Sequence, residues 1–335
     1  MNAFLKHLRR GAFAIGSGVF LGLIAAFGLV APVFVQHPVV YAAPADALPP
    51  CPAYQALLDQ YLTVLRAKDG DVQRPVMTTF DYARLALYPD GKTKLDAARK
   101  ELFAVQPARL GPKARVAWGI NAHNFDVIDT IVKYGFPDGK PVASVRDIRS
   151  EQADVPPLEV RNDGTQVVAP EGAWPGDPRY ELLGSDGFNA IEQSLLAGKG
   201  SPRADLEGAH KGGVPPPAQM LDPRVHFALT NGARGGPPLH PQAYRPETLD
   251  AQLEDVTRGA MLGSKHLRWH GMTKDLAVSQ IFEWYVDDFG GPDSAFAFVL
   301  RHVPARTADQ IRAAGITKIP GYIECEWTLN QTPQR

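Results

Sequence analysis

The chain has 335 residues, 44% hydrophobic and 21% charged, with a net charge of -1. That composition is globular and long enough for one large domain. Near-neutrality without a basic stripe excludes a nucleic-acid-binding protein, and 31 glycines and 30 prolines, clustered toward the middle, point to long loops there.

Lys6, Arg9 and Arg10 precede an uncharged apolar run from Gly11 to Val35, and the residues turn small around Tyr41–Ala45. This is the order of a secretory signal: basic, apolar, then small residues at a cleavage site. The run also exceeds the roughly 20 residues that a membrane-crossing helix needs. Residues 1–43 are therefore expected to be a signal peptide or a retained N-terminal anchor. Both place the domain over residues 44–335 outside the cytoplasm, in the periplasm or anchored to the inner membrane and facing outward. Membrane contact is expected through this segment alone. In an oxidising compartment Cys51 and Cys325 have two states open to them: paired, with a contribution of about 4–5 kcal/mol by loop entropy, or unpaired thiols.

Within the domain, Leu57, Leu58, Tyr61, Leu62 and Leu65 recur at helical spacing and predict a helix over Ala53–Lys68. Met77–Leu85 reads as a short extended piece running into a turn, and Lys92–Val105 as a second helix. The longest helix is expected over Lys113–Lys133. Its apolar stripe of Ala117, Ile128 and Ile131 is broken by Asn121 and Asn124. A buried amide without partners costs about 1–3 kcal/mol, so both asparagines must bond neighbouring backbone or reach a polar pocket, with His123 pointing elsewhere.

The segment VRNDGTQVV reads as a hairpin, Phe188–Ala197 as a helical island carrying Glu192, and residues 198–217 as a Pro/Gly-rich insertion. Asp222–Leu239 is expected to be a strand ending in a glycine-rich turn, with Arg224 and His226 on one face and Val225, Phe227 and Leu229 on the other. Helices are then expected over Glu247–Met261, Leu276–Phe289 and Ser294–Val303. Thr307 and Gln310 suggest a capping box for a helix to Ala314. The closing GYIECEWTLN alternates cleanly and reads as a strand buried on one side. The order of elements predicts an α+β fold, a single mostly helical domain packed on a small antiparallel or mixed sheet.

Motifs for established chemistries do not appear. His266 and His270 lack the glutamate of a zinc-binding HExxH, and no metal or cofactor is expected. There is no GxSxG, phosphate-binding loop or dinucleotide fingerprint. Gly232–Gly236 with Arg234 allows an anion nest of backbone N–H groups, or a plain glycine-rich turn.

Taken in order, the blocks AWGINAHN from Ala117, SVRDI from Ser144, IEQ from Ile191, DPRVHFALTNGARGGPPL from Asp222, SQIFEWYVDDF from Ser279 and YIECEWTLN from Tyr322 resemble the family labelled domain of unknown function 547. The resemblance spans about Ala53 to Asn330. It departs at telling places: where the family pattern carries two cysteines around the turn, this chain has Asn231 and Gly236. His123, Gln193 and Cys325 replace a tyrosine, a histidine and a tyrosine of that pattern. The resemblance thus implies a fold and a site location with the thiols removed.

The expected function is a non-catalytic domain binding a small ligand or an envelope protein at a degenerate site around Arg224 and His226, with Asn121, Asn124, Asn231 and Arg234 as further binding residues. The alternative is a hydrolase- or transferase-like enzyme in which His226 acts as general base on a water, oriented by Glu192 or Glu326. A third reading is a purely structural envelope protein.

Overall fold

The computed structural model describes residues 47–105, 110–148 and 222–333, together with the backbone of three short strands between the last two segments. The expected signal or anchor, the helical island with Glu192 and the 198–217 insertion lie outside the described residues.

Tyr54, Leu57, Leu58 and Tyr61 are buried on one side of α1 (Pro52–Tyr61). The helix stops there. Leu62–Asp69 becomes β1 and pairs antiparallel with β2 (Val72–Phe80). Three- and four-residue leucine spacing predicted a continuous helix, but Gly70-Asp71 is a strong two-residue hairpin turn, with Gly70 at φ 63°. Leu65, counted in the helical stripe, is 55% exposed as a result. The hairpin is fastened to the fold by charge. Asp69 accepts from Arg74 and Arg258, which hold its carboxyl down at about 2, and Arg74 also reaches Asp255.

Next come α2 (Tyr82–Leu87), α3 (Gly91–Phe103) and the long α4 (Pro112–Tyr134). The α4 helix stands between two apolar clusters. Ala114, Ala117 and Ile120 belong to one, with Phe227, Phe282 and Val299. Phe125, Val127, Ile128 and Ile131 belong to the other, with Tyr54, Phe80 and Leu329. Between these two groups all four residues Asn121–Asn124 are buried. Strands β3 (Leu158–Val160) and β4 (Gln166–Val168) form the predicted hairpin, and β5 (Tyr180–Glu181) pairs with the other edge of β3.

Asp222–Leu239 is not a strand. Asp222 caps a 3-10 turn over Pro223–Phe227, its Oδ1 accepting from the Arg224 N–H at 3.0 Å. Asp-Pro favours this start because proline supplies the helical φ and the carboxylate takes the first free N–H. Side-chain alternation is lost, so Val225, His226 and Phe227 are all buried. The chain continues through α5 (Leu249–Leu262), β6 (Leu267–His270) and β7 (Asp275–Ser279). The expected helix over Leu276–Phe289 shrinks to α6 (Ile281–Trp284), because Leu276 and Val278 use a two-residue period to bury against the core. Helices α7 (Pro292–His302) and α8 (Ala305–Ala313) follow. Thr307 sits inside α8, which starts behind Pro304 without a side-chain cap, so the capping box does not form.

β8 is only Tyr322–Ile323, parallel to β7. Beyond it the expected alternation is lost, with Cys325, Glu326 and Trp327 all half-buried and Leu329 and Asn330 both buried, and the segment pairs through single bridges, Ser144 with Thr328 and Ala233 with Leu329. The architecture is α+β, with three small sheets in place of one: β1–β2, β4–β3–β5 and β6–β7–β8.

The α4 amides organise this arrangement. Asn121 Nδ2 donates to the Tyr244 carbonyl at 2.9 Å, and its Oδ1 accepts from the Tyr244 N–H at 2.8 Å. Asn124 Nδ2 donates to the Ala228 carbonyl, and its Oδ1 accepts from the Thr230 N–H, both at 2.9 Å. His123, expected to point elsewhere, donates from Nε2 to the Thr230 carbonyl at 3.0 Å. Replacing Asn124→Ala orphans a buried carbonyl and a buried N–H. Denaturant unfolding is expected to show a loss of about 2–4 kcal/mol, with the midpoint falling and the slope unchanged.

Candidate functional site

The predicted site residues separate into three places. Arg224 lies on the 3-10 turn, and its guanidinium is consumed by acids. It donates to Asp222 at 2.7 Å, to Asp250 at 2.6 Å and to Glu254 at 3.3 Å. These partners hold it firmly cationic and tie the turn to α5.

His226, one residue beyond the turn's centre, is sealed. Its side chain is 1% exposed, stacks on Tyr285 at 3.9 Å and donates from Nε2 to Asp288 Oδ2 at 3.1 Å. The expected groove shared by Arg224 and His226 does not form, because 3-10 geometry turns successive side chains through about 120° rather than laying alternate ones on one face. Asn121 and Asn124 have both ends of their amides committed to backbone. Glu192 lies outside the described residues.

Asn231, Arg234, Cys325 and Glu326 do come together, at the glycine turn. Here the closing segment runs against the turn's backbone. The Arg234 N–H donates to the Thr328 carbonyl at 2.8 Å, the Gly235 N–H to the Glu326 carbonyl at 2.9 Å, and the Asn330 N–H to the Gly232 carbonyl at 2.9 Å. The remaining donors are also spent. Gly232 N–H reaches Thr230 Oγ1, Ala233 N–H reaches Asn231 Oδ1, and Gly236 N–H reaches the Ala233 carbonyl. An anion nest needs free N–H groups, and residues 232–236 keep none.

The glycines have another reason. A Cβ on Gly235 would lie 2.2 Å from the Glu326 nitrogen, and one on Gly236 would lie 1.8 Å from Asn231 Oδ1. Close approach, not ligand capture, requires them. The two positions where the family pattern has cysteines thus touch, and Asn231 fills the space that Gly236 leaves open.

The cysteines are not joined to one another. Cys51 is buried ahead of α1 in the second cluster, where burial pushes its thiol up to about 11. Cys325 faces Asn231, with Nδ2 to Sγ at 3.9 Å. The disulfide left open by the sequence is absent because the two thiols belong to different surroundings.

Beside the turn lies a small cleft with about 10 Å³ of room, enough for about one water, lined by Thr78, Arg234, Gly236, Lys265, His266 and Asn330 among others. Lys265 forms an ion pair with Glu326, which holds that carboxyl below its ordinary range. His266 is 2% exposed, and burial lowers its pKa to about 4, so the ring is neutral near pH 7. Its one N–H bonds the Gly236 backbone, leaving Nδ1 a bare buried acceptor. The Asn330 side chain lies against the buried Tyr82 hydroxyl. Sequence reading missed Lys265 and His266 as site residues. Nothing in Gly263-Ser264-Lys265-His266 marks them, since they reach the turn only through the end of α5.

Among the described residues no three His, Cys, Asp or Glu side chains could together hold a metal ion, and no helix is long and apolar enough to cross a membrane.

A family model described as a protein of unknown function, DUF547, matches residues 107–259, which contain α4, the 3-10 turn, the glycine turn and most of α5. No curated protein matches, and no solved structure matches.

The His266 shift has a definite sign. The folded ring protonates near pH 4 and the unfolded one near 6.5. Its contribution is full above pH 6.5 and falls away between 6.5 and 4, by about 1.4 kcal/mol per pH unit. Urea midpoints measured across that window should fall more steeply in the parent than in His266→Gln. A double-mutant cycle tests the contact at the turn. Gly236→Ala alone should destabilise by about 1–3 kcal/mol. Asn231→Ala with Gly236→Ala should cost at least about 1 kcal/mol less than the sum of the singles.

Proposed function

Starting from its membership of the DUF547 family of proteins of unknown function, we propose that the chain is an exported, non-catalytic binding domain whose ligand surface is the cleft beside the glycine turn. The observation that carries this reading is the pair of cations, Arg234 and Lys265, that line the cleft beside a turn without a nucleophile. His226 is sealed between Tyr285 and Asp288, with its side chain 1% exposed, so a substrate has no access to it as a base. His266 is also buried, so what the cleft offers a ligand is Lys265 and an exposed Arg234. The thiol positions of the family pattern are taken by Asn231 and Gly236, and their space is filled. That supports binding over nucleophilic catalysis at the turn.

The charges at the cleft favour an anion. Arg234 and Lys265 bring two positive charges, and Glu326 offsets one of them. A small carboxylate-bearing ligand, or an acidic segment of an envelope protein, fits that balance. Export rests on Lys6, Arg9 and Arg10 followed by the apolar run to Val35.

Titrating isotopically labelled protein with acetate tests the location. Backbone resonances of Arg234, Gly235, Gly236 and Lys265 should move, while those of Arg224 and His226 stay. Lys265→Met combined with Arg234→Ala should weaken binding at least about 10-fold, as expected when charge-assisted bonds worth about 1.5–3 kcal/mol are lost. Movement confined to Arg224 and His226, or none at all, would reject the cleft as the site.

A further inference from the structure

Resting on the anion-binding reading of the cleft, the surface next to it specifies what kind of molecule brings the negative charge. The cleft has room for about one water, so a ligand meets Arg234 and Lys265 at its rim. Met77 lines the same cleft. In the β1–β2 ladder Met77 stands opposite Leu65. Directly opposed residues share a face, with Cβ atoms about 4.5–5.5 Å apart. Both side chains are exposed, Leu65 by 55% and Met77 by 38%. The register slips just beyond this pair, since Leu65 faces Met77 but Arg66 faces Pro75. Val76 is therefore the extra residue of a β-bulge, and it too lines the cleft. Bulges of this kind bend a strand and re-aim side chains beside a site. Arg66, exposed next to Leu65, donates to the Gln73 carbonyl at 3.3 Å and meets no carboxylate among the described residues.

An exposed apolar pair beside cations asks for an apolar group held close to a carboxylate. The apolar part is a strand surface rather than a pocket. Small molecules need a concavity that covers most of their area, whereas an extended chain segment can lie flat across such a surface. Alternate side chains of that segment fall about 6–7 Å apart on one side. We propose that this face docks an extended acidic segment of a partner protein. A carboxylate side chain meets Arg234 and Lys265, and an apolar side chain two residues away covers Leu65 and Met77.

A blocked heptapeptide with one glutamate and two leucines at alternate positions tests the assignment. One control carries glutamine for the glutamate, and the other carries serine for both leucines. Titrated into the full-length protein, the glutamate–leucine peptide should bind at least about 10-fold more tightly than either control, the factor that burying one leucine supplies. Methyl signals of Leu65 and Met77 should move with that peptide and stay with the serine control. Leu65→Ser combined with Met77→Ser should erase the preference for leucine over serine, while acetate still moves the Arg234 and Lys265 resonances. Where the double variant fails to fold, Leu65→Ser alone, at an exposed position, should cut that preference about 3-fold. Either control binding as tightly as the glutamate–leucine peptide, with acetate still bound, overturns the docking assignment and leaves the anion-binding reading standing. Octanoate binding as tightly as the peptide makes the ligand a free amphiphile and overturns it as well. So does self-association of the protein that Leu65→Ser abolishes, which makes a second copy the occupant. No response to acetate or to any peptide overturns both readings.

Discussion

The arrangement depends on two amides in the middle of one helix. Asn121 and Asn124 are placed where α4 passes from one apolar cluster to the other, a stretch where every side chain is buried. A leucine at either position would bury as well but would leave a loop's carbonyl and N–H without partners. Each asparagine instead completes a two-bond ring with a peptide far along the chain, Tyr244 in one case and the Ala228–Thr230 stretch in the other. With these rings closed, irregular backbone can lie inside the protein at little cost, because its polar groups are paired as fully as those of a strand. The 3-10 turn, the glycine turn and the Tyr244 loop are held by side chains rather than by a sheet, which explains why so few residues are in strands.

Electrostatics then sorts the surface from the site. Arg224, Arg258 and Arg74 are each matched to carboxylates and fasten elements to α5. Their charges are spent on the fold. Among the described residues, Lys265 and Arg234 sit at the cleft with Glu326 as a shared counter-charge, so part of their field remains available to something outside that network. Cations closed into internal networks contribute to architecture, and cations at the rim of a concavity contribute to recognition.

Much of the helical framework could be read from periodicity. Helices α3, α4, α5 and α7 fall within a few residues of expectation because each presents a long apolar stripe. The misreadings have specific causes. At Leu62–Asp69 a leucine spacing was stronger than the Gly-Asp turn signal, yet the turn won because it let β2 pack on α5. At Asp222–Phe227 an apparent alternation concealed an Asp-Pro helical start, and with it went the supposed groove of Arg224 and His226. Asn231, Arg234 and Glu326 lie together at the glycine turn, whereas they were expected to share one site with Arg224 and His226. Lys265 and His266 were illegible, since a residue in a short connection acquires meaning only from what folds against it.

Residues 325–330 supply partners to the backbone of the turn, of the Ala143–Val145 segment and of the end of β2, and Gln331 reaches Ala83 across 248 positions. These groups lie from about 90 to 250 residues apart in order of synthesis. Until residues 325–332 are made, the Arg234 and Gly235 N–H groups of the turn and the Phe80 N–H and carbonyl at the end of the first hairpin lack these partners. Consolidation must therefore wait until the tail has emerged. Contacts of such long range make for slow folding, and a chain arrested a dozen residues early would hold its helices but leave the cleft without a wall.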